Sequence, residues 1–270
     1  MRIAYFDCFS GISGDMTLGA LLHAGVDEAA WRAELDRLGV PGYTVTTEKV
    51  LKEGIAAVRV EVRLTQPDTG HGRHLKEIAE ILERSGLSET VRRRAMGAFT
   101  RLACAEARIH DMTPDTIHFH EVGAIDAIVD IVGACIALEM LGVQKVYASP
   151  LPFNRGWVDC AHGTMPVPAP ATLELLAGFP LRPDHRTHEL VTPTGAALLA
   201  EFAERGPDST LAPLPPMVLR TVGYGAGTHD TWIPNLLRVC IGDVVEPPEK
   251  SPAGTRPVRS RNRTTKPASH

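Results

Sequence analysis

The sequence contains no uninterrupted apolar run long enough to cross a membrane. It opens with MRIAYFDCFSG, a strand-like run rather than a signal peptide. Cysteines are also scarce: the 270 residues include five, scattered and odd in number, which argues against a disulfide framework of the secreted type. We therefore expect reduced thiols and a cytoplasmic protein.

The body of the chain lacks an excess of positive charge. The formal net charge is -4, but residues 247–270 contain six basic side chains and one acidic one, which leaves 22 basic and 31 acidic side chains for residues 1–246. An acidic body argues against nucleic acid as the main partner. The tail is rich in Pro, Ser, Thr and Arg and almost free of apolar residues, so we expect it to be disordered, either as a solvated end or as a basic contact arm. The predicted organisation is a core domain at 1–246 and a tail at 247–270.

Internal repeats are absent too, whereas the local patterns alternate between strand and helix. The hydrophobic content of 44% and charged content of 22% are ordinary for a globular protein. Strand-like runs occur at 2–6, 43–50, 56–64, 143–148, 217–222 and 236–243. Helical patterns occur at 15–23, 27–38, 75–84, 89–110, 169–176 and 194–202, and one more helical pattern ends at about 141. This mixture, with one predicted hairpin, indicates an α/β or α+β fold: a mixed β-sheet with packed helices in a single large domain.

The stretch IHFHEVGAIDAIVDIVG combines histidines and acids with apolar residues. On an extended backbone His118 and His120 lie on the same side, and in a following helix Asp126 and Asp130 share a face. With Glu121 they make a donor set that suits a divalent first-row metal. The stretch has no ligand spacing of the zinc-finger kind, and a glutamate favoured at a helix start with solvated or salt-bridged aspartates explains the same residues. Both interpretations stay open.

Two segments rich in Gly, Ser and Thr, FDCFSGISGDM and ELVTPTGAAL, lead into predicted helices. Free amides at a helix start attract anions such as phosphate, but the same residues also suit ordinary helix caps. Neither segment has the GxxxxGK[ST] or GxGxxG pattern of the standard nucleotide loops. The candidate phosphate contacts are Asp7, Ser10, Ser13, Asp15, Thr192, Thr194 and Gly195.

Further donors occur in three loops. In CAHGTMP, Cys160 and His162 form a pair that suits nickel, zinc or copper, although a buried thiol and a hydrogen-bonded imidazole explain it as well. TGHGRH contains His71 and His74, either a metal-capture loop or an ordinary polar loop. YGAGTHD adds His229 and further glycines. Several polar, glycine-rich loops in one chain indicate a site built between elements.

Five segments, in order, resemble the nickel insertion protein family of nickel-pincer cofactor biosynthesis: YFDCFSGISGDMTLGALL, HFHEVGAIDAIVDIVGA, CAHGTMPVPAPATLELL, ELVTPTGAALL and VGYGAGTHD followed by PNLLRV. The resemblance implies a nickel chelatase of the metal-chelating lyase class. Such a protein inserts nickel into pyridinium-3,5-bisthiocarboxylic acid mononucleotide by CTP-dependent cyclometallation. The product serves lactate racemase and related enzymes. Nickel, and CTP with a divalent cation, are the expected cofactors.

We combine this resemblance with the residues to assign expected roles. Nickel has to be held loosely enough to be passed on, which favours imidazole and carboxylate over a closed thiolate cage. The expected metal ligands are His118, His120, Asp130 and His162. The expected catalytic residues are Glu121 and Asp126, because a carbon–nickel bond needs a base to take a ring proton, while the two glycine-rich loops hold the substrate phosphate.

The sequence departs from the family near its end. Full-length members continue into a C-terminal domain associated with CTP and its divalent metal, whereas here the pattern stops near Gly242. Either that domain is a separate polypeptide, which would be a partner of this chain, or the chain is a truncated form. A homo-oligomer stays open, and neither a membrane nor nucleic acid is expected as a partner. Two alternatives to a complete insertase remain: a non-catalytic nickel-binding subunit that needs that domain, and a metal-dependent phosphoester hydrolase.

Overall fold

A computed structural model of the chain describes residues 1–65, 73–119, 124–160, 162–207 and 210–245. Its helices are α1 (Gly14–His23), α2 (Glu28–Asp36), α3 (Leu75–Arg84), α4 (Glu89–His110), α5 (Ile125–Met140), α6 (Pro170–Leu175) and α7 (Pro193–Phe202). Its strands are β1 (Arg2–Asp7), β2 (Tyr43–Lys52), β3 (Ile55–Leu64), β4 (Arg73–His74), β5 (His118–Phe119), β6 (Lys145–Ala148), β7 (Leu151–Phe153), β8 (Trp157–Cys160), β9 (Gly163–Pro166), β10 (Leu181–Pro183), β11 (Met217–Ala226) and β12 (Leu236–Val244).

Six strands form the main sheet in the order β2-β3-β11-β12-β1-β6. The β1–β6 and β3–β11 pairs are parallel and the other neighbours are antiparallel, so the sheet is mixed. Three two-stranded sheets accompany it: β7 with β10, β4 with β5, and the β8–β9 hairpin. The predicted mixed α/β fold is confirmed.

Helix α1 lies directly on the main sheet because β11 has glycines where the two backbones meet. A Cβ at Gly225 would collide with the Met16 carbonyl, and one at Gly223 would collide with the Ala20 carbonyl. This close backbone contact sets the distance between α1 and the sheet, and so it positions the start of α1.

A continuous apolar core surrounds α5, which is buried along most of its length. The indole of Trp31 on α2 is fully buried and donates to the Gly133 carbonyl at 2.9 Å. Helix α4 packs on the same core through one apolar side, which includes the buried residues Ala95, Ala98, Phe99, Leu102 and Ala103.

Most predicted elements appear within two residues of their predicted limits, but β11 extends to Ala226 and the three small sheets were not predicted. These strands are two to four residues long, too short for a periodic pattern to be read. No helix among the described residues is long and apolar enough to span a membrane. The predicted disordered tail lies outside the described residues.

Candidate functional site

The starts of helices α1 and α7 lie side by side. Ser13 caps α1, where its Oγ accepts from the Met16 amide at 3.4 Å. Thr192 caps α7 in the same way, accepting from the Gly195 amide at 3.2 Å. Both segments were predicted to be either helix caps or phosphate loops; the structure confirms the caps, and the phosphate contact stays a prediction.

A short backbone ladder holds these two helix starts together. The Ile12 amide donates to the Leu190 carbonyl at 2.9 Å, and the Thr192 amide donates to the Ile12 carbonyl at 3.1 Å. Gly195 permits the approach, since a Cβ there would lie 2.5 Å from the Ile12 carbonyl oxygen. The positive ends of two helix dipoles are therefore brought to one place, where they favour a negative charge.

A cavity of about 340 Å³ opens at this point. Its size lies in the range of small-molecule sites. Of the predicted substrate contacts, Ser13, Asp15 and Thr192 line it. The other polar or aromatic lining residues are Trp157, Asp159, His188, Glu189, Thr228, His229 and Asn235. None of the lining residues in the described part of the chain is lysine or arginine.

Two carboxyl groups meet at the start of α1. The chain has no side chain at Gly14, and a Cβ there would run into the carboxyl group of Asp130 on α5. Burial raises the pKa of Asp15, although Ser13 Oγ donates a hydrogen bond to its carboxylate. Burial first, and then the charges of Asp15 and Asp126, raise the pKa of Asp130 well above its ordinary value. Asp130 Oδ1 is buried without a hydrogen-bond partner among the described residues.

Two imidazoles form another part of the cavity wall. The rings of His188 and His229 are 4.8 Å apart. Burial and the neighbouring His229 lower the pKa of His188, so that it is neutral near pH 7. His188 Nε2 is buried with no hydrogen-bond partner among the described residues. Asn235 holds the loop that carries His229, because its side-chain amide donates to the His229 carbonyl at 3.1 Å.

A buried ion pair supports the segment before His188. Arg186 and Asp184 have side chains only 2% and 7% exposed, and their charged atoms are 2.8 Å apart. Hydrogen bonds from Arg186 strongly lower the pKa of Asp184. Arg186 also donates to Ser10 Oγ. Ser10, a predicted phosphate contact, is 1% exposed and belongs to this framework rather than to the cavity wall.

The remaining predicted phosphate contacts also have internal partners. Asp7 accepts from Arg238 Nε at 2.9 Å across the β1–β12 pair. Thr194 shares a hydrogen bond of 2.9 Å with Thr192, through the two hydroxyl groups. Asp7 and Thr194 thus do not line the cavity, although Thr194 supports a residue that does.

The predicted metal ligands are not gathered at one point among the described residues. His118 on β5 lies against His74 with ring centroids 3.6 Å apart, whereas Asp130 faces α1. No group of three His, Cys, Asp or Glu side chains in the described part of the chain is arranged to hold a metal ion. Asp126 is exposed at the start of α5, where it accepts from the Ala127 amide at 2.9 Å. His71, His120 and Glu121 lie outside the described residues.

His162 lines a second cavity of about 330 Å³ that shares Val158, Asp159 and Glu189 with the first. Its ring lies 4.7 Å from that of His110. Cys160, its predicted partner, donates from Sγ to the Gly163 carbonyl at 3.2 Å. The β8–β9 hairpin therefore contributes to both cavities.

A larger open groove, about 610 Å³, lies between α4, α6 and α7. Four of its five charged side chains form ion pairs, with Arg101 2.9 Å from Glu201 and Arg108 3.0 Å from Glu174. None of the predicted site residues lines it. We therefore centre the candidate site on the smaller cavity between α1 and α7.

Sequence reasoning missed several residues of this cavity, namely Trp157, Asp159, His188, Glu189 and Asn235. Glu189 begins the ELVTPTG segment that predicted Thr192, so its position was a usable signal. His188 lies in a loop and Trp157 at the start of the short strand β8, neither with a recognisable spacing, and only the tertiary fold brings them to one cavity.

Comparison with known proteins gives a consistent result. The profile of a family described as "Nickel insertion protein" matches residues 4–265. The chain is 47% identical over 247 residues to a pyridinium-3,5-bisthiocarboxylic acid mononucleotide nickel insertion protein of Desulfitobacterium hafniense, covering 91% of this chain and 60% of that protein. It is 45% identical over 252 residues to the protein of the same name from Geobacillus kaustophilus, covering 90% and 60%.

A relative from Dictyoglomus thermophilum, whose name includes the words nickel insertion protein, is 47% identical over 91% of this chain and 62% of its own length. The chain thus spans about three fifths of the length of the curated relatives it matches. No solved structure matches it significantly.

Proposed function

This chain belongs to the nickel insertion protein family, and on that premise we propose that it binds pyridinium-3,5-bisthiocarboxylic acid mononucleotide between α1 and α7 and takes part in inserting nickel into it. The observation that carries the proposal is the cavity, which gathers Ser13, Asp15 and Thr192 from distant segments of the sequence. The phosphate of the mononucleotide lies at the two helix starts, where free amides and helix dipoles stabilise an anion.

Nickel enters as a substrate. Its two thiocarboxylate acceptors belong to the precursor, so the protein needs few ligands of its own at the moment of transfer. Imidazole and carboxylate suit this role because they bind nickel without enclosing it. His118, His120, Asp130 and His162 remain our proposed donors along its route.

The reaction also needs a base, since a ring carbon must lose its proton when it bonds to nickel. Asp15 suits this task better than the predicted Asp126, because Asp15 lines the cavity and its pKa is raised by burial. Asp126 is exposed and hydrogen-bonded within its own helix turn. Glu121 remains a second proposed base.

We assign CTP and its divalent cation to a C-terminal domain equivalent to the remaining length of the relatives, acting with this chain as a partner. If this chain inserts nickel without that domain, it is a complete insertase, a metal-chelating lyase. If it needs the domain, it is a nickel-binding subunit.

The test incubates the purified chain with nickel, CTP and the bisthiocarboxylated mononucleotide, with and without a supplied C-terminal domain. We expect the nickel complex to form, detected by its absorption and mass, only when the domain is present. Formation without the domain would show that this chain is sufficient. Release of phosphate from unrelated phosphoesters without any nickel complex would contradict the proposal and indicate a hydrolase.

A further inference from the structure

Trp157 is exposed in an unusual place. It begins β8 and lines the cavity between α1 and α7, yet it is 70% exposed. A large aromatic side chain normally stabilises a fold by being buried, as Trp31 is here at 0% exposure. Trp157 instead leaves most of its surface accessible, at a position that lines the cavity.

The backbone at Trp157 is held in place. Its neighbour Gly156 lies so close to the Thr187 carbonyl that no side chain would fit. The Gly156 carbonyl accepts from the Val167 amide at 3.0 Å, and Trp157 pairs with Pro166 across the hairpin. The backbone that carries the indole is therefore held at the cavity wall.

The charges near Trp157 favour a cation. Three carboxylates, those of Asp15, Asp159 and Glu189, line the cavity, and its described lining residues include no lysine or arginine. Burial lowers the pKa of His188, so this imidazole adds no positive charge near pH 7. The two helix starts supply the opposite preference at Ser13 and Thr192. The cavity thus suits a ligand with a cationic and an anionic end.

We propose that Trp157 is a positioning and specificity residue, on which the cationic pyridinium ring of the substrate stacks while its phosphate lies at the starts of α1 and α7. This inference rests on the proposed function. A cation over an indole face is attracted by the negative face of the ring, and tryptophan is the strongest aromatic partner for such a contact. The contact selects a charged pyridinium over a neutral ring of the same shape.

The experiment compares nicotinamide mononucleotide, which has a pyridinium ring, with its reduced form, which has a neutral dihydropyridine ring on the same ribose phosphate. Calorimetry on the full chain measures both dissociation constants, and ribose 5-phosphate reports the phosphate contact alone. We expect the pyridinium form to bind about three- to thirtyfold more tightly than the reduced form, as expected for a cation–π contact. Trp157→Ala abolishes this preference, and Trp157→Phe retains part of it.

Trp232→Ala is the matched control, because Trp232 is 79% exposed and does not line the cavity. The Trp232→Ala variant should keep the full preference for the pyridinium form over the reduced form. Equal binding of both ring forms to the wild type, or an unchanged preference in Trp157→Ala, would overturn the inference and leave the proposed function standing. If neither mononucleotide nor ribose 5-phosphate binds, both fail. A thermal melt checks that the variants fold.

Discussion

Two groups of buried charges beside the cavity follow opposite rules. Arg186 and Asp184 carry opposite charges, and the carboxylate of Asp184 accepts from Arg186 at 2.8 and 2.9 Å. Asp15 and Asp130 are both acids whose pKa values are raised, and Asp130 Oδ1 has no partner among the described residues. The first arrangement satisfies the groups it buries. The second leaves a carboxyl group that the fold alone does not need.

This difference distinguishes residues that support the fold around the cavity from residues that are candidates for chemistry. A buried ion pair with complete hydrogen bonds positions a segment, here the one that leads to His188. Two carboxyl groups held together with raised pKa values cost stability, and such groups concentrate at functional sites. Asp15 and Asp130 are therefore our candidates for chemistry beside the cavity, and Arg186 belongs to its support.

The largest effect is expected from Asp184→Asn, which leaves the Arg186 guanidinium buried without its counter-charge. Breaking a buried pair in this way costs about 3–5 kcal/mol. The matched control is Asp243→Asn, because Asp243 also accepts from two arginines, Arg220 at 2.7 Å and Arg2 at 3.4 Å, but its side chain is 31% exposed instead of 7%. An exposed pair is worth roughly 0–1 kcal/mol. Urea unfolding measures both, and equal losses would contradict the distinction.

The same pair predicts a dependence on pH. The pKa of Asp184 is lowered in the folded state, so its contribution is fully present above the unfolded pKa of about 4 and is lost as the pH falls through the lower folded value. The destabilisation by Asp184→Asn should therefore shrink in strong acid. A constant difference down to pH 2 would show that the charge is not responsible.

Asp130→Asn should act in the opposite direction. Because the pKa of Asp130 is raised, the wild type is stable with respect to this group in acid and loses stability as the pH rises towards the raised folded value. The amide removes the repulsion and can donate to Asp15. We expect a gain of on the order of 1–2 kcal/mol at pH 7 and little change at pH 3, together with loss of nickel insertion.

Asp126→Asn is the control for this variant, because it removes a carboxylate from the same helix at an exposed position. Its effect on thermal stability should stay within about 1 kcal/mol. A loss of stability in Asp130→Asn at pH 7 would mean that the carboxylate has a stabilising partner, and the contrast between the two buried groups would disappear.

Local sequence patterns predicted on which element each residue lies, but not which distant residues lie near one another. Helical periodicity correctly placed Asp130 on α5, and the Ser13 and Thr192 caps follow from residue type and position. Neither pattern could show that the charge of Asp15 raises the pKa of Asp130, because that effect depends on the close packing of α1 against α5 at Gly14. In the same way, nothing local in the sequence connects Ser10 with Arg186. Contacts between distant segments decide which polar groups are support and which are available for chemistry.

The smallest effect on stability is expected at the starts of α1 and α7. Substitutions there should also weaken the binding of ribose 5-phosphate. Ser13→Ala and Thr192→Ala each remove a cap and should cost about 1 kcal/mol. Ser88→Ala removes the equivalent cap of α4, where Ser88 Oγ accepts from the Val91 amide at 3.1 Å, and its cost should be similar. Only the first two line the cavity, so only they should weaken ribose 5-phosphate binding, measured by calorimetry. Equal weakening by Ser88→Ala would show that the phosphate responds to overall stability, and the start of α1 would then belong with Arg186 as support.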